Sequence, residues 1–316
     1  MQSHHLHSTP LVFIPGLFGS MSHVIVPGTG GWGFGIAGVF YEPFVMELES
    51  MGYKRNTTLF VAFYDWRQPI TYSAHTYLVH AIKEAKRITG ASKVNLVGHS
   101  MGGMVARAYT QSDYYQRDVD QLIMMCSPNA GSPANYSYWT GGTIQYPSGV
   151  HPNVVSLYMH QYLNYLYRLY PTNKIAALRT HFPSLSDMIP SKAYGDYLIV
   201  RENESLRLIP YSIMQVKNTF LDHLNADQDI LKRREIDVTL IAGIGQSTIQ
   251  NLQKTSDSTT FIEGTGVMWA AVNSDAGDGN AMVSSVFVVD GDKYLVEGDH
   301  MEVLFRSRSI LKKKLT

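Results

Sequence analysis

Strand-like and helix-like segments alternate along the first 126 residues, and this alternation restricts the fold more than any other feature of the sequence. The β-rich runs are residues 11–14, 58–63, 94–97 and 122–126, and the segments with helical apolar spacing are 44–51, 77–88 and 105–111. In a β-α-β order of this kind, successive strands pair in parallel and the helices cover both faces of the sheet. The sequence therefore predicts an α/β fold with a mostly parallel central sheet.

The alternation stops at Ser127–Pro133 and resumes about a hundred residues later, at Val238–Ala242. We predict that residues 1–133 form the first part of a core, that 134–236 form an inserted, largely helical cap, and that 237–316 complete the core. The last part contains further strand-like runs at 259–262, 267–272, 286–289 and 294–296. The chain is thus expected to be one large α/β domain with an insertion.

Charge and cysteine content exclude several classes of protein. Charged residues make up 16% of the chain, and 26 Lys and Arg balance 26 Asp and Glu, so the basic excess of a nucleic-acid binder is missing. The one cysteine, Cys126, cannot form an intramolecular disulfide. No apolar run approaches the roughly 18 residues of a membrane span. Residues 1–10 lack the pattern of a signal peptide, so a cytoplasmic location is expected, or a secreted one if a signal has been removed.

A nucleophile elbow is predicted at Gly98-His99-Ser100-Met101-Gly102, which fits the G-x-S-x-G pattern. A β-rich run enters this segment and a helix rich in small residues leaves it, as the sharp strand-turn-helix requires. Small residues two positions either side let the backbone turn tightly. We therefore expect Ser100 to be a nucleophile; the alternative is a serine in an ordinary tight turn.

A serine nucleophile needs a base and an acid, which follow it along the chain in this kind of sheet. His300 lies in the loop after the last strand-like run, where the base is expected. Asp278 lies between two glycines in a turn-rich stretch, and we predict it as the acid. The other candidate acids are Asp275, Asp290, Asp292 and Asp299.

Acyl chemistry also needs donors for a developing oxyanion. The backbone N–H of Met101, directly after the nucleophile, is one predicted donor. The N–H of Leu17, in the loop after the first strand, is the other, and the alternative for this loop is a plain Pro-Gly turn.

Substrate contacts are predicted in the cap and beside Leu17. Tyr158, Tyr162 and Tyr165 have the i, i+4, i+7 spacing that lines one helix face, together with Leu169. This stripe either lines an acyl pocket or packs onto the core. Phe18 is the fourth residue expected to contact substrate.

No metal or organic cofactor is expected. The stretch Gly28–Gly33 satisfies G-x-G-x-x-G, but Pro27 precedes it and no helix pattern begins there, so a dinucleotide site is not predicted.

Several further motifs resemble those of the lecithin:cholesterol acyltransferase-like branch of the α/β-hydrolases, which includes phospholipid:diacylglycerol acyltransferases and bacterial lipases and esterases. Besides the elbow, the matching segments are Pro15-Gly16-Leu17-Phe18-Gly19-Ser20, Tyr64-Asp65-Trp66-Arg67, Ser127-Pro128-Asn129-Ala130-Gly131-Ser132, Phe182-Pro183-Ser184-Leu185, Met188-Ile189-Pro190, Gly277-Asp278-Gly279 and His300. Asn280-Ala281 replaces the Thr-Val that follows G-D-G in that family, and the cysteines that pair in the family's secreted plasma member are absent, so a disulfide-closed lid is not expected. Asp65 and Arg67, two apart on an extended segment, are expected to pair for structural reasons, with a role near the acyl pocket as the alternative.

This resemblance implies an α/β-hydrolase fold and a Ser-His-Asp hydrolase acting on a hydrophobic acyl ester, with transient contact to a lipid surface. Two alternatives stay open. One is an acyltransferase that passes the acyl group to an alcohol, and the other is an inactive hydrolase fold that binds a hydrophobic ligand or a protein. The sequence does not define the oligomeric state.

Overall fold

A computed structural model describes residues 9–142, 154–171, 173–202, 205–255 and 269–316. Its central sheet has six strands in the order β10-β7-β4-β3-β1-β2, and every neighbouring pair is parallel. The six strands are β1 (Leu11–Ile14), β2 (Leu59–Val61), β3 (Val94–His99), β4 (Val119–Met125), β7 (Asp237–Ile244) and β10 (Asp292–Glu297). The predicted parallel α/β sheet is confirmed.

Helices pack on both faces of this sheet because side chains alternate along each strand. In β1, Leu11 and Phe13 face one hydrophobic cluster, and Val12 and Ile14 face the other. The first cluster is completed by α1 (Gly38–Ser50), α11 (Glu302–Arg306) and α12 (Arg308–Leu315). The second is completed by α3 (Val79–Thr89) and α4 (Met101–Thr110), and α2 (Ile70–Ser73) with a π-helical turn at Ala74–Leu78 leads into α3.

A second sheet, of four strands in the order β6-β5-β8-β9, lies beside the predicted cap helices. Its strands are β5 (Leu198–Glu202), β6 (Ser205–Ile209), β8 (Thr248–Lys254) and β9 (Trp269–Ser274). The helices of this region are α5 (Pro133–Gly141), α6 (Val154–Leu169), α7 (Lys174–His181), α8 (Thr219–Ala226) and α9 (Asp229–Arg233). The insertion predicted at 134–236 is therefore not a purely helical unit, because it contains β5 and β6, and β5 pairs with β8, a strand that follows β7.

One strand prediction is wrong. Residues 286–289 form the end of a short helix, α10 (Val283–Val286), and the turn after it. Val286 and Val289 are buried, whereas Phe287 and Val288 between them are partly exposed. Two buried residues three positions apart are typical of a helical turn. A short apolar run by itself does not distinguish a strand from a helical turn. The predicted strand at 259–262 lies outside the described residues.

Among the described residues, no helix is both long enough and apolar enough to cross a membrane. The Gly28–Gly33 stretch forms turns and an isolated bridge between Met21 and Gly33. It does not join a strand to a helix, as a dinucleotide site would require.

Candidate active site

Ser100 lies at the junction of β3 and α4 with φ 55° and ψ −125°. Positive φ is uncommon for a residue with a side chain, and here it occurs between two glycines that are closely packed. A Cβ on Gly102 would come within 2.1 Å of the Ile14 carbonyl oxygen, and one on Gly98 within 2.5 Å of the Gly103 Cα. The absence of these side chains lets α4 approach the sheet closely. The predicted elbow geometry is therefore present.

The loop after β1 lies directly against this elbow. A Cβ on Gly16 would be 3.0 Å from the Ser100 Cβ. The next amide, that of Leu17, has no hydrogen-bond acceptor among the residues that the structure describes. Met101 is the first residue of α4, so its amide is one of those that no carbonyl of the same helix can satisfy. Both predicted oxyanion donors thus belong to segments that adjoin Ser100.

The Tyr64-Asp65-Trp66-Arg67 segment holds the loop in place. The Tyr64 hydroxyl donates to the Pro15 carbonyl at 2.8 Å, and the Trp66 indole N–H donates to the Ser20 carbonyl at 2.9 Å. The loop is therefore fixed at both ends. The sequence analysis did not predict this role, because Tyr64 and Trp66 lie more than forty residues from the loop. The two segments were linked only as separate motifs of the same family.

The predicted pairing of Asp65 with Arg67 is confirmed. The Arg67 Nε and Nη2 atoms donate to the two Asp65 carboxylate oxygens, each at 2.8 Å. The side chain of Asp65 is almost fully buried, and that of Arg67 is 20% exposed. A bidentate pair of this kind satisfies a buried carboxylate, so it stiffens the segment that holds the loop.

Asp278 and His300 are brought together at the carboxyl ends of the strands. The His300 Nδ1 and Asp278 Oδ2 atoms are 2.8 Å apart, and Asp278 Oδ1 accepts from the amides of Asn280 and Ala281 at 2.8 and 2.7 Å. Burial acts to raise the pKa of Asp278, but the charge and hydrogen bond of His300 and the two amides outweigh burial and lower it. A Cβ on Gly243 would come within 2.6 Å of the Asp278 Cβ, so β7 needs glycine there.

The other four candidate acids, Asp275, Asp290, Asp292 and Asp299, are exposed. Asp292 pairs with Lys314, and Asp299 Oδ1 accepts from the amides of Met301 and Glu302 at the start of α11. Of the five aspartates considered, Asp278 is the one hydrogen-bonded to His300. The replacement of Thr-Val by Asn280-Ala281 leaves this geometry intact, since only their backbone amides contact the carboxylate.

Four aromatic rings pack together beside the loop. The Phe18 ring lies 4.2 Å from that of Trp66 between centroids, and the Tyr162 ring of α6 lies 5.2 Å from Trp66 and 6.4 Å from Phe18. Phe182 completes the group at 5.2 Å from Trp66. This aromatic cluster (Phe18, Trp66, Tyr162 and Phe182) joins the cap to the nucleophile region.

The tyrosine stripe predicted on α6 does not act as one surface. Tyr162 is 6% exposed, whereas Tyr165 is 52% and Leu169 is 54% exposed. The buried face of α6 is centred on Tyr162, Leu163 and Leu166, at i, i+1 and i+4, so Tyr165 and Leu169 lie on its exposed flank although they are only three and seven residues from Tyr162. The side chain of Tyr158 lies outside the described residues. Tyr165 is therefore not placed with Tyr162.

His99, Cys126 and His300 have atoms within 4.8 Å of one another that could ligate a metal. Both ring nitrogens of His99 are already hydrogen-bonded, to the Tyr41 hydroxyl and the His300 carbonyl, and His300 Nδ1 bonds to Asp278. Burial raises the pKa of the Cys126 thiol well above its ordinary value, which disfavours the thiolate that a metal binds. The cluster is built as a hydrogen-bonded group, and its donors do not fit a metal ion.

Curated relatives of the chain include acyltransferase-like and lipid-hydrolase proteins. Lecithin-cholesterol acyltransferase-like 4 of Arabidopsis thaliana is 20% identical over 201 residues, which cover 60% of this chain and 38% of that protein. Phospholipase A(1) LCAT3 of the same plant is 30% identical over 118 residues, or 35% of this chain and 25% of that protein. The GPI inositol-deacylase of Aspergillus fumigatus is 40% identical over 63 residues, or 19% and 5%. The chain thus spans well under two thirds of the length of these relatives.

Two solved structures share the fold. The mature lipase BlEst2 of Bacillus licheniformis superimposes with a TM-score of 0.51 at 13% identity, covering 98% of this chain and 93% of the lipase. A chain of the Tle4–Tli4 complex gives a TM-score of 0.52 at 13% identity and covers 97% of each chain. Identity this low speaks for the fold alone, which is that of the α/β-hydrolases.

The family model described as lecithin:cholesterol acyltransferase matches residues 35–255. The match covers well over half of the chain, and it includes the elbow, the Tyr64–Arg67 segment and the cap motifs. The chain therefore belongs to the lecithin:cholesterol acyltransferase family.

Proposed function

We propose that this chain hydrolyses carboxylic esters of lipids or other hydrophobic acyl groups through an acyl-enzyme on Ser100. The observation that carries the proposal is the strained elbow at Ser100, whose neighbour His99 bonds to the backbone of His300, together with the hydrogen bond of His300 to the buried Asp278. Two relatives are named as a phospholipase A(1) and a GPI inositol-deacylase, and these names support an ester-cleaving reaction on lipid substrates.

In the proposed mechanism, the Ser100 oxygen attacks the ester carbonyl while His300 Nε2 takes the hydroxyl proton. Asp278 holds the Nδ1–H of the same ring and stabilises the imidazolium that forms. The amides of Leu17 and Met101 donate to the oxyanion. His300 then gives its proton to the departing alcohol. Water, deprotonated by His300, attacks the acyl-enzyme; the bond to the Ser100 oxygen breaks, His300 returns the proton to that oxygen, and the free acid is released.

An acyltransferase reaction uses the same first half, and the family name makes it the second candidate. The two reactions differ in whether water or an alcohol reaches the acyl-enzyme. A dedicated acceptor site would need a second apolar surface that excludes water, and the cap region, with its second sheet, is the one large insertion available to build it. We therefore favour hydrolysis. The intact Asp278–His300 pair argues against an inactive binding module.

Product analysis separates these reactions. With a phospholipid or p-nitrophenyl ester as donor and a sterol, a diacylglycerol and a simple alcohol each at low concentration, we expect free acid to be the main product by mass spectrometry. Transfer should appear only when the alcohol is in excess. An ester product that dominates at low alcohol would overturn hydrolysis in favour of transfer, and no reaction of any donor would favour the binding module.

The aromatic cluster predicts a preference for long acyl chains. Replacing Tyr162 with Asp places a charge among apolar rings, so we expect kcat/KM for octanoate or longer esters to fall at least about tenfold more than that for acetate. The ratio of the two substrates in one preparation cancels any loss of folded protein. Tyr165→Asp, on the exposed side of the same helix, is the matched control and should leave the ratio unchanged. An equal loss across chain lengths in Tyr162→Asp would mean that the ring is only core.

A further inference from the structure

We propose that Tyr41 and His99 are positioning residues that fix the oxyanion loop and the His300 loop relative to Ser100. Neither residue belongs to the proposed triad or supplies a proposed oxyanion donor, and both are almost fully buried. This inference rests on the proposed function, because it assigns the two residues to the geometry of that reaction.

The first half of the arrangement runs from the oxyanion loop to the elbow. The backbone N–H of Gly16 donates to the Tyr41 hydroxyl oxygen at 2.9 Å. The same hydroxyl lies 2.8 Å from His99 Nδ1. Tyr41 belongs to α1, and His99 directly precedes Ser100 at the end of β3. One hydroxyl group therefore ties the loop of the predicted donor Leu17 to the strand that presents the nucleophile.

The second half runs from the elbow to the base. His99 Nε2 lies 2.9 Å from the backbone carbonyl oxygen of His300. A carbonyl oxygen only accepts hydrogen bonds, so Nε2 must carry the hydrogen. The two histidine rings also pack, with centroids 4.7 Å apart. His99 thereby holds the backbone of His300, and the ring of His300 contacts Asp278.

The charge state of His99 sets the direction of every bond in this chain. Burial, followed by the nearby charge of His300, lowers the pKa of His99 to about 3. A neutral ring with its hydrogen on Nε2 has an accepting Nδ1, so the Tyr41 hydroxyl must donate to it. That leaves the lone pairs of the hydroxyl oxygen for the Gly16 amide. All four groups are satisfied in one arrangement, and no alternative tautomer satisfies them.

This arrangement matters for catalysis because oxyanion donors act only when they are correctly placed. The Gly16 amide is the one directly before Leu17, so a shift at Gly16 moves the predicted donor. The Cβ of a residue at position 16 would collide with the Tyr41 hydroxyl at 2.9 Å and with Ser100 at 3.0 Å, so the contact is close. Loss of the Tyr41 hydroxyl would free the loop and leave two buried polar groups unpaired.

The first test is Tyr41→Phe, which keeps the ring in the core and removes the hydroxyl. We expect kcat per active site, counted by fluorophosphonate titration, to fall roughly tenfold to a hundredfold with KM almost unchanged. Tyr53→Phe is the matched control: Tyr53 lies in the same hydrophobic cluster, and its hydroxyl is 3.4 Å from the carbonyl of Leu315 near the carboxyl terminus. It should change the melting temperature about as much as Tyr41→Phe and leave kcat as it is.

Substitutions of His99 separate its two bonds. A glutamine can keep the donor to the His300 carbonyl, an asparagine can keep the acceptor for Tyr41, and a leucine keeps neither. We expect kcat per titrated site to be lowest in His99→Leu and partly restored in His99→Gln and His99→Asn. In the unmodified protein, nitrogen NMR should show a neutral His99 with its hydrogen on Nε2 over roughly pH 5 to 8.

The outcomes are distinguishable. Unchanged kcat per titrated site in Tyr41→Phe would overturn the positioning role while leaving the proposed function standing. If Tyr41→Phe does not fold, equal kcat in wild type, His99→Gln and His99→Leu would overturn it instead. A wild-type chain that neither reacts with fluorophosphonate nor cleaves any ester would overturn the proposed function, and the catalytic meaning of Tyr41 and His99 with it.

Discussion

Ser100→Ala is expected to lower kcat by about a millionfold and to abolish covalent labelling by fluorophosphonates. Removal of the nucleophile in serine hydrolases costs an effect of this order, because the rest of the site supplies only a small residual rate. The fold should survive, since one hydroxyl is lost and the methyl group of alanine still fits the turn. Fluorophosphonate labelling with mass-spectrometric mapping of the modified peptide tests the role of Ser100, and the melting temperature tests whether the fold survives.

Ser112→Ala provides the control for this experiment. Ser112 follows the carboxyl end of α4, and its hydroxyl donates to the Tyr109 carbonyl at 2.7 Å, away from the elbow. This variant should be labelled and should turn over ester like the wild type. Labelling that persists in Ser100→Ala would place the nucleophile at another residue.

Asp278→Asn is expected to lower kcat by about ten-thousandfold, whereas Asp275→Asn should cost less than about tenfold. Asp278 accepts the Nδ1–H of His300, and an amide at that position would favour the wrong tautomer of the ring. Asp275 is exposed and only three residues away, so it controls for changes to the loop itself. Steady-state kinetics of both variants on one ester decides the ranking.

The pH dependence of the free energy of unfolding offers a second measurement on Asp278. The pKa of Asp278 is lowered on folding, so its ionised form stabilises the native state above the ordinary pKa of aspartate. This contribution is lost as the pH falls through the lowered pKa. The free energy of unfolding of Asp278→Asn should therefore depend less on pH in the acid range than that of the wild type.

The kinetic comparison has its own contradicting outcome. A larger loss of kcat in Asp275→Asn than in Asp278→Asn would move the acid to Asp275.

The sequence alone predicted the sheet and the elbow, because both leave local signals. A strand such as β1 is covered on both faces, so it is a continuous apolar run, and the elbow leaves a fixed local spacing of glycines around Ser100. The strand predicted at 286–289 was wrong because a run of four apolar residues fits both a strand and a helical turn. The bonds among Gly16, Tyr41 and His99 were missed since their partners are 25 and 58 residues apart. No local pattern encodes such a contact.

The shared sheet of the cap has a consequence for how this protein can be recombined with others. β9 leads directly into the loop of Asp278. The hydroxyl oxygen of Thr248, at the start of β8, accepts a hydrogen bond from the Gly279 amide at 2.8 Å. The acid loop is thus built partly on β8, which pairs with β5 of the insertion, and on β9, which pairs with β8. A chimera that exchanged residues 134–236 alone would give β8 a foreign neighbour in place of β5, and we expect this to displace the carboxylate. The smallest module that keeps this pairing extends from the insertion through β9 and includes the core strand β7, so evolution and design must alter the cap together with the strands that support the acid loop.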